Sequence, residues 1–189
     1  MSWEDDVVRE IIVEDVYRLG QVDFSTGAVV DAGANVGVFA RRVRQLGARD
    51  VVCIEPHPRH FEALAAAFMG VPEVRLVRAA VGKPGRGRMA GDDGSAVLIE
   101  GDEVDVLPLE AVMPPGEIAL LKLDVEGGEF DAIAGCSHEA LARCRRIAIE
   151  THAAVPGRLG ALVERLTETH HVETLGAASR GGYIYALRY

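Results

Sequence analysis

The chain has 189 residues, of which 49% are hydrophobic and 26% charged. That is one domain's worth of sequence, able to bury a core without disulfide or metal staples, and the composition excludes a disordered chain. Twenty-nine acids against 20 Lys and Arg give a formal net charge of -9, which speaks against a phosphate-neutralising surface for nucleic acid.

In chain order, Val7, Val8, Ile11, Ile12, Tyr17 and Leu19 fall near helical spacing and predict an amphipathic helix over 3–19, with Gly20 as its stop. Segment 1–20 is expected to act as a lid or packing element. Its apolar stripe suits its own core or a second subunit equally, so the oligomeric state stays open. A strand over 28–30 leads into Asp31-Ala32-Gly33, followed by a helix over 36–46. A second strand (51–55), a helix opening on Pro58 (58–68) and a third strand (74–81) come next. From 82 to 101, Gly85, Gly87, Gly91, Gly94 and Gly101 stand among Pro84 and the Asp92-Asp93 pair, which predicts turns and a short inserted hairpin. A short strand is expected at 104–109. An apolar strand over 118–125 is interrupted by Lys122. A helix (129–141), a strand (146–150) and a helix (157–170) follow, then two strands at 171–176 and 183–189 around Gly181-Gly182.

This alternation predicts an α/β fold, with a doubly wound, mostly parallel sheet ending in an antiparallel hairpin. Residues 1–189 read as a single domain without repeats or linkers. Cys53, Cys136 and Cys144 are odd in number and lack CxxC spacing, which suits reduced thiols in a cytoplasmic protein. The acidic start lacks a signal-peptide core, and no run of 18 apolar residues exists, so neither secretion nor a membrane partner is expected. Arg outnumbers Lys 18 to two, and Asn occurs once, at Asn35. Against that bias, Asn35, Lys83 and Lys122 invite a question about what each side chain does.

In an open parallel sheet, ligands lie beyond the carboxyl ends of the strands. After the first strand, Asp31, Gly33, Asn35 and Gly37 form a turn spaced Asp-x-Gly-x-x-x-Gly. A dinucleotide fingerprint needs glycine where Asp31 stands, and a carboxylate there suits a cation or hydroxyl better than a pyrophosphate. Glu55 follows the second strand about twenty residues on, where an acid accepts hydrogen bonds from ribose hydroxyls. Lys122, Asp124, Glu126 and Glu129 crowd the end of the long strand. In extended geometry the first three share a side, which is costly in a buried strand unless the groups are paired or used. Glu129 also suits the start of a helix. His152 follows Glu150 after the next strand and is a candidate general base. His57 is expected at the rim of a cofactor site, whereas His60, His138, His170 and His171 read as solvated helix positions.

The runs VVDAGANVG (29–37), CIEPHP (53–58), AAVG (79–82), LKLDVEGGE (121–129) and IAIE (147–150), in this order, are similar to the FkbM family of S-adenosylmethionine-dependent methyltransferases. The resemblance implies the class I methyltransferase fold, a Rossmann-like seven-stranded sheet whose final strand is inserted antiparallel. It implies O-methylation of a hydroxyl on a small molecule, a sugar or secondary metabolite. It also implies S-adenosyl-L-methionine held by Asp31, Gly33, Asn35 and Gly37, by Glu55 with the neighbouring Pro56, and by Ala80 and Val81 beside the adenine. Lys122, Asp124 and Glu126 would face the methionine end or the acceptor. Glu110 stands where the family usually has Asp, and the glycine-rich 83–101 segment looks individual to this chain.

An aliphatic hydroxyl is a weak nucleophile, so its proton is expected to leave to His152 or to a carboxylate of the Asp124/Glu126 pair. A second version places Mg²⁺ between Asp124 and Glu150 with His152 nearby. Two other classes are weighed: a non-catalytic cofactor-binding domain on the same fold, and a nucleotide-dependent oxidoreductase, which the acid at position 31 disfavours.

Overall fold

A computed structural model describes residues 3–91, 96–152, 157–177 and 181–189. The Asp92-Asp93 pair and Gly94 lie outside the described residues. The elements are α1 (Trp3–Val8), β1 (Ala28–Ala32), α2 (Val38–Gln45), β2 (Val51–Ile54), α3 (Pro58–Ala67), β3 (Val74–Val77), β4 (Ala80–Val81), β5 (Gly85–Ala90), β6 (Val97–Glu100), β7 (Val104–Leu107), α4 (Leu109–Val112), β8 (Ile118–Leu123), α5 (Glu129–Ala134), α6 (His138–Ala142), β9 (Arg146–Thr151), α7 (Arg158–Thr167), β10 (His170–Ala177) and β11 (Gly181–Arg188).

Seven strands form one sheet in the order β10-β11-β9-β8-β1-β2-β3. β1 pairs in parallel with β2 and β8, so Asp31 lies between Cys53 and Lys122. β8 and β9 are also parallel, while β11 runs antiparallel between β9 and β10. The strand order reverses between β1 and β8. Helices leave in opposite directions there, and the strand ends open a crevice.

Side-chain alternation feeds two cores. Val30, Leu121, Leu123, Ile147 and Ile149 pack with Ile133, Leu141 and Leu166 on one face. Val29, Leu120 and Ala148 pack with Phe39, Val43, Leu64, Tyr17 and Leu19 on the other. The near-continuous burial of β1, β2 and β8 follows from this two-sided packing.

Four readings of the sequence are corrected. The leading helix is short: α1 passes into a π-helical turn (Arg9–Val13), and the chain then turns through Asp15 and Arg18 at φ 49° and 55°. The apolar spacing continues past the helix because the irregular segment also buries Ile11, Tyr17 and Leu19. The expected strand 74–81 is two strands in different sheets. β3 closes the large sheet, and β4 joins a second sheet ordered β4-β7-β5-β6. The inserted hairpin is β5–β6, and β7 belongs to the same small sheet. The expected helix 129–141 is two helices, broken at Gly135 and restarted by Ser137, whose Oγ accepts from Ala140 N at 3.1 Å. Glu110 fixes the same restart by accepting from Ser137 N at 2.7 Å. His60 and His170 are buried rather than solvated, and His170 opens β10, bonding Thr169 Oγ1 and Cys144 O. His171 is exposed on β10 rather than on a helix, whereas His138 is exposed at the start of α6 as expected.

Candidate active site

The loop after β1 is fixed by backbone hydrogen bonds before any ligand is considered. Gly33 N and Ala34 N both donate to Ile54 O, at 2.9 and 3.0 Å. Gly33 has φ 82°, and a Cβ there would sit 1.7 Å from Asp124 O, so only glycine lets β1 and β8 close at this point. Asn35 has φ 50°, a left-handed conformation that Asn tolerates. Its Oδ1 accepts from Val36 N at 2.8 Å, and its own N–H donates to Glu55 Oε2 at 2.8 Å. Glu55 Oε1 accepts from His57 N at 2.8 Å. Burial raises the Glu55 carboxyl to about 7, against the two backbone donors that lower it.

Lys122 is buried beneath this loop. Its Nζ donates to Gly33 O at 2.7 Å and lies 3.1 Å from Asp31 Oδ1 and 3.3 Å from Asp124 Oδ2. Burial works against its charge, but Asp31 and Asp124 outweigh it and hold the ammonium well above its ordinary range. Asp31 is wholly buried, and burial raises its carboxyl despite Lys122. The cation facing Asp31 is therefore the chain's own.

Two clefts open at the strand ends. The first, about 660 Å³, is lined by Glu55, Pro56, His57, Ala80 and Val81, with Met89 and Leu98 of the small sheet. The second, about 880 Å³, is lined by Lys122, Asp124, Glu126, Glu150 and His152, with Asp6, Glu10 and Tyr17 of the leading segment. They share Gly33, Asn35, Asp124 and Glu126. Asp31 and Gly37 line neither. Gly37, at φ 89°, lets α2 approach Leu64 of α3 and Phe68, the residue that caps that helix.

In the second cleft, His152 Nδ1 is 3.0 Å from Glu129 Oε1, which also accepts from Val125 N and Gly127 N. His152 Nε2 lies 3.6 Å from Glu126 Oε2 and 3.8 Å from both Asp124 Oδ1 and Glu150 Oε1. Burial opposes the imidazolium, but the bond to Glu129 and the charges of Asp124 and Glu126 prevail and raise His152 to about 9. Burial and the Asp124 charge raise Glu150 to about 7. Tyr17 is buried, and its hydroxyl donates toward Asp124 Oδ2 at 3.1 Å and Glu150 Oε2 at 3.0 Å. Burial and these two carboxylates push its own ionisation far up. Lys122, Asp124 and Glu126 do meet at one site, but strand alternation is not the cause. β8 ends at Leu123, and Glu126 arrives through a turn at φ 53°.

A family model of the methyltransferase FkbM domain matches residues 31–185. The chain belongs to the FkbM methyltransferase family. Among solved structures, it is similar to an rRNA methylase from Streptococcus thermophilus (TM-score 0.60, 11% identity, covering 94% of this chain and 95% of that one). It is also similar to a precorrin-6y C5,15-methyltransferase from Geobacter metallireducens (TM-score 0.56, 14% identity, 95% and 87%). At these identities the likeness shows the fold, a Rossmann-like class I methyltransferase. No curated protein matches the chain by sequence.

Membership makes S-adenosyl-L-methionine the methyl donor, and the first cleft fits its nucleoside. Each Glu55 oxygen accepts one backbone N–H and retains an acceptor site for a ribose hydroxyl. Beside it, His57 Nδ1 is buried without a hydrogen-bond partner among the described residues. Ala80, Val81, Met89 and Leu98 offer apolar walls for a base. Sequence reasoning missed Tyr17, because a residue in an apolar helical stripe reads as core, and Met89 and Leu98, because they lie in the glycine-rich segment read as turns and an inserted hairpin. It placed Glu129 at a helix start, as observed, but not as the anchor of His152.

Proposed function

We propose that the chain transfers a methyl group from S-adenosyl-L-methionine to a hydroxyl of a small polar molecule. The carrying observation is the second cleft, which joins the nucleoside cleft at Gly33, Asn35, Asp124 and Glu126 and is walled by Asp6, Glu10, Asp124, Glu126 and Glu150. Such a wall repels phosphates, which supports an uncharged or cationic acceptor over a nucleic acid. The bound donor supplies an electrophilic methyl group. The chain's residues hold the acceptor hydroxyl at the junction, and a carboxylate of the Asp124/Glu126 pair takes its proton, because His152, raised to about 9, is held as the imidazolium near neutral pH. Lys122 fixes the loop and one Asp124 oxygen. The acid at position 31 and the family match favour this over a nucleotide-dependent oxidoreductase, and the complete strand-end set favours it over a non-catalytic domain. Labelled-methyl transfer to a panel of sugars and polyhydroxylated metabolites tests it. The expected result is label on a hydroxyl oxygen, and label on RNA alone overturns it.

Asp124, Glu126 and His152 each offer a ligand atom within 4.8 Å of the others, so a divalent cation, if one is used, would find its ligands in this trio, in place of the Asp124–Glu150–His152 set of the second version. A cation there would supply Lewis-acid polarisation of the hydroxyl. If the cation is used, EDTA reduces turnover and Mg²⁺ restores it. Turnover indifferent to both leaves proton removal to the side chains.

Glu55 predicts a pH dependence of donor binding. In the unliganded fold its carboxyl is raised to about 7, above the unfolded value of 4.5, so its contribution to stability is greatest below 4.5 and is lost as pH rises to 7. Ribose hydroxyls donate to the ionised form, so affinity moves the other way. S-adenosylhomocysteine is expected to bind roughly tenfold more weakly at pH 5.5 than at pH 7.5 by calorimetry, and Glu55→Gln to flatten that difference.

A further inference from the structure

Tyr17 lies outside the residues that the family matches. Its ring packs edge-on against Phe39 and Tyr183, with centroids 5.4 and 6.1 Å away. Phenylalanine would fill the same space. Its hydroxyl does something further: it reaches Asp124 Oδ2, just past the end of β8, and Glu150 Oε2, in the neighbouring strand β9. The single phenolic proton is shared between the two carboxylates, and the hydroxyl so bridges groups that otherwise repel each other. Lys122 Nζ engages the same Asp124 oxygen at 3.3 Å. What remains on each carboxylate is Asp124 Oδ1 and Glu150 Oε1, each 3.8 Å from His152 Nε2.

The backbone that delivers Tyr17 is built for the purpose. Asp15 and Arg18 on either side are left-handed, a conformation that non-glycine residues adopt at a cost and keep only where their surroundings fix it. The surroundings do fix it. Asp15 accepts from Leu19 N and Gly20 N at 2.6 and 3.1 Å. The Arg18 guanidinium lies 3.7 Å over the Tyr185 ring and makes bonds of 2.7 and 2.6 Å to Glu173. Tyr185 Oη donates to Val16 O at 2.7 Å. The segment is thus pinned to β10 and β11 while its one hydroxyl reaches β8 and β9.

We propose that Tyr17 is a positioning residue for methyl transfer, holding Asp124 Oδ2 and Glu150 Oε2 so that Asp124 Oδ1 and Glu150 Oε1 are presented to the acceptor. The proposal rests on the acceptor site argued above. It makes the leading segment, which carries no family motif, part of the machinery that aims the acceptor.

Tyr17→Phe removes the hydroxyl and keeps the ring. Its crystal structure is expected to show the Asp124 or Glu150 carboxylate turned away from its wild-type position, with the melting temperature within about 3 °C. With a hydroxyl acceptor from the panel, kcat is expected to fall about tenfold or more while KM for S-adenosyl-L-methionine stays within about twofold. A merely structural tyrosine moves neither carboxylate and leaves that split absent. Unmoved carboxylates, or a wild-type kcat, overturn the proposal. Should the variant fail to fold, Arg18→Gln frees the segment from Glu173 without touching the core. The same two measurements apply to it: a turned carboxylate with reduced kcat supports the role of Tyr17, and wild-type values overturn it. A wild-type protein that methylates no hydroxyl compound defeats the acceptor reading alone, because the carboxylate positions still decide the role of Tyr17.

Discussion

Gly33→Ala is expected to eliminate donor binding and to lower the melting temperature by about 10 °C or more. Two effects add. The residue sits at φ 82°, where a side chain costs about 1–2 kcal/mol. The new Cβ would also lie 1.7 Å from Asp124 O, a backbone atom that cannot turn aside as a side chain can. β1 and β8 must separate, and the junction of the two clefts goes with them. Gly127→Ala is the control: it has φ 100° but open space around its Cβ, so it carries the conformational cost alone. Thermal melts and calorimetry with S-adenosylhomocysteine on the two variants separate crowding from backbone conformation. Equal losses in both refute the close-approach argument.

Lys122→Met should be nearly as damaging for a different reason. It leaves Asp31 wholly buried with no cation, and breaking such a pair typically costs about 3–5 kcal/mol. It also strips one donor from Gly33 O. The double variant Asp31→Asn/Lys122→Met removes both charges and should recover more than half of the loss in urea unfolding. If the double variant is as unstable as the sum of its parts, the pair is not the source of the cost.

Asn35 and Lys122 show what was legible in the sequence. Both stood out as rare residues, and both are fixed by specific contacts: Asn35 through a left-handed turn onto Glu55, and Lys122 as the cation beneath the loop. Lys83, the third rare residue, is exposed and has no such placement. β1, β2, β8 and β9 were readable because burial on both faces leaves mainly apolar runs, broken in β1 and β8 only by the paired Asp31 and Lys122 and in β9 by Arg146 and Glu150 towards its two ends. The division of 74–81 between two sheets was not, because residues 79–81 are as apolar as a central strand and hydrophobicity does not record which partner a strand bonds. Helical spacing likewise could not show the π-helical turn at Arg9–Val13 or the left-handed residues flanking Tyr17. A tyrosine in an apolar stripe looks like core from sequence, and here it is core and also a hydrogen-bond donor to two acids. The buried His60 and His170 failed for the converse reason: a histidine carries no sign of its own exposure.

The division of the chain between two sheets also bears on energetics. β3 and β4 are joined by Arg78 and Ala79 alone, and the nucleoside cleft has the large sheet on one side and Ala80, Val81, Met89 and Leu98 of the small sheet on the other. A donor held in this cleft, as proposed above, would bridge two hydrogen-bonded bodies as well as fill a cavity. At one hundred times its dissociation constant it would stabilise the folded chain by about 2.7 kcal/mol. Methyl donor and fold would then be thermodynamically linked, with the docking of the small sheet against the large one drawn into that link.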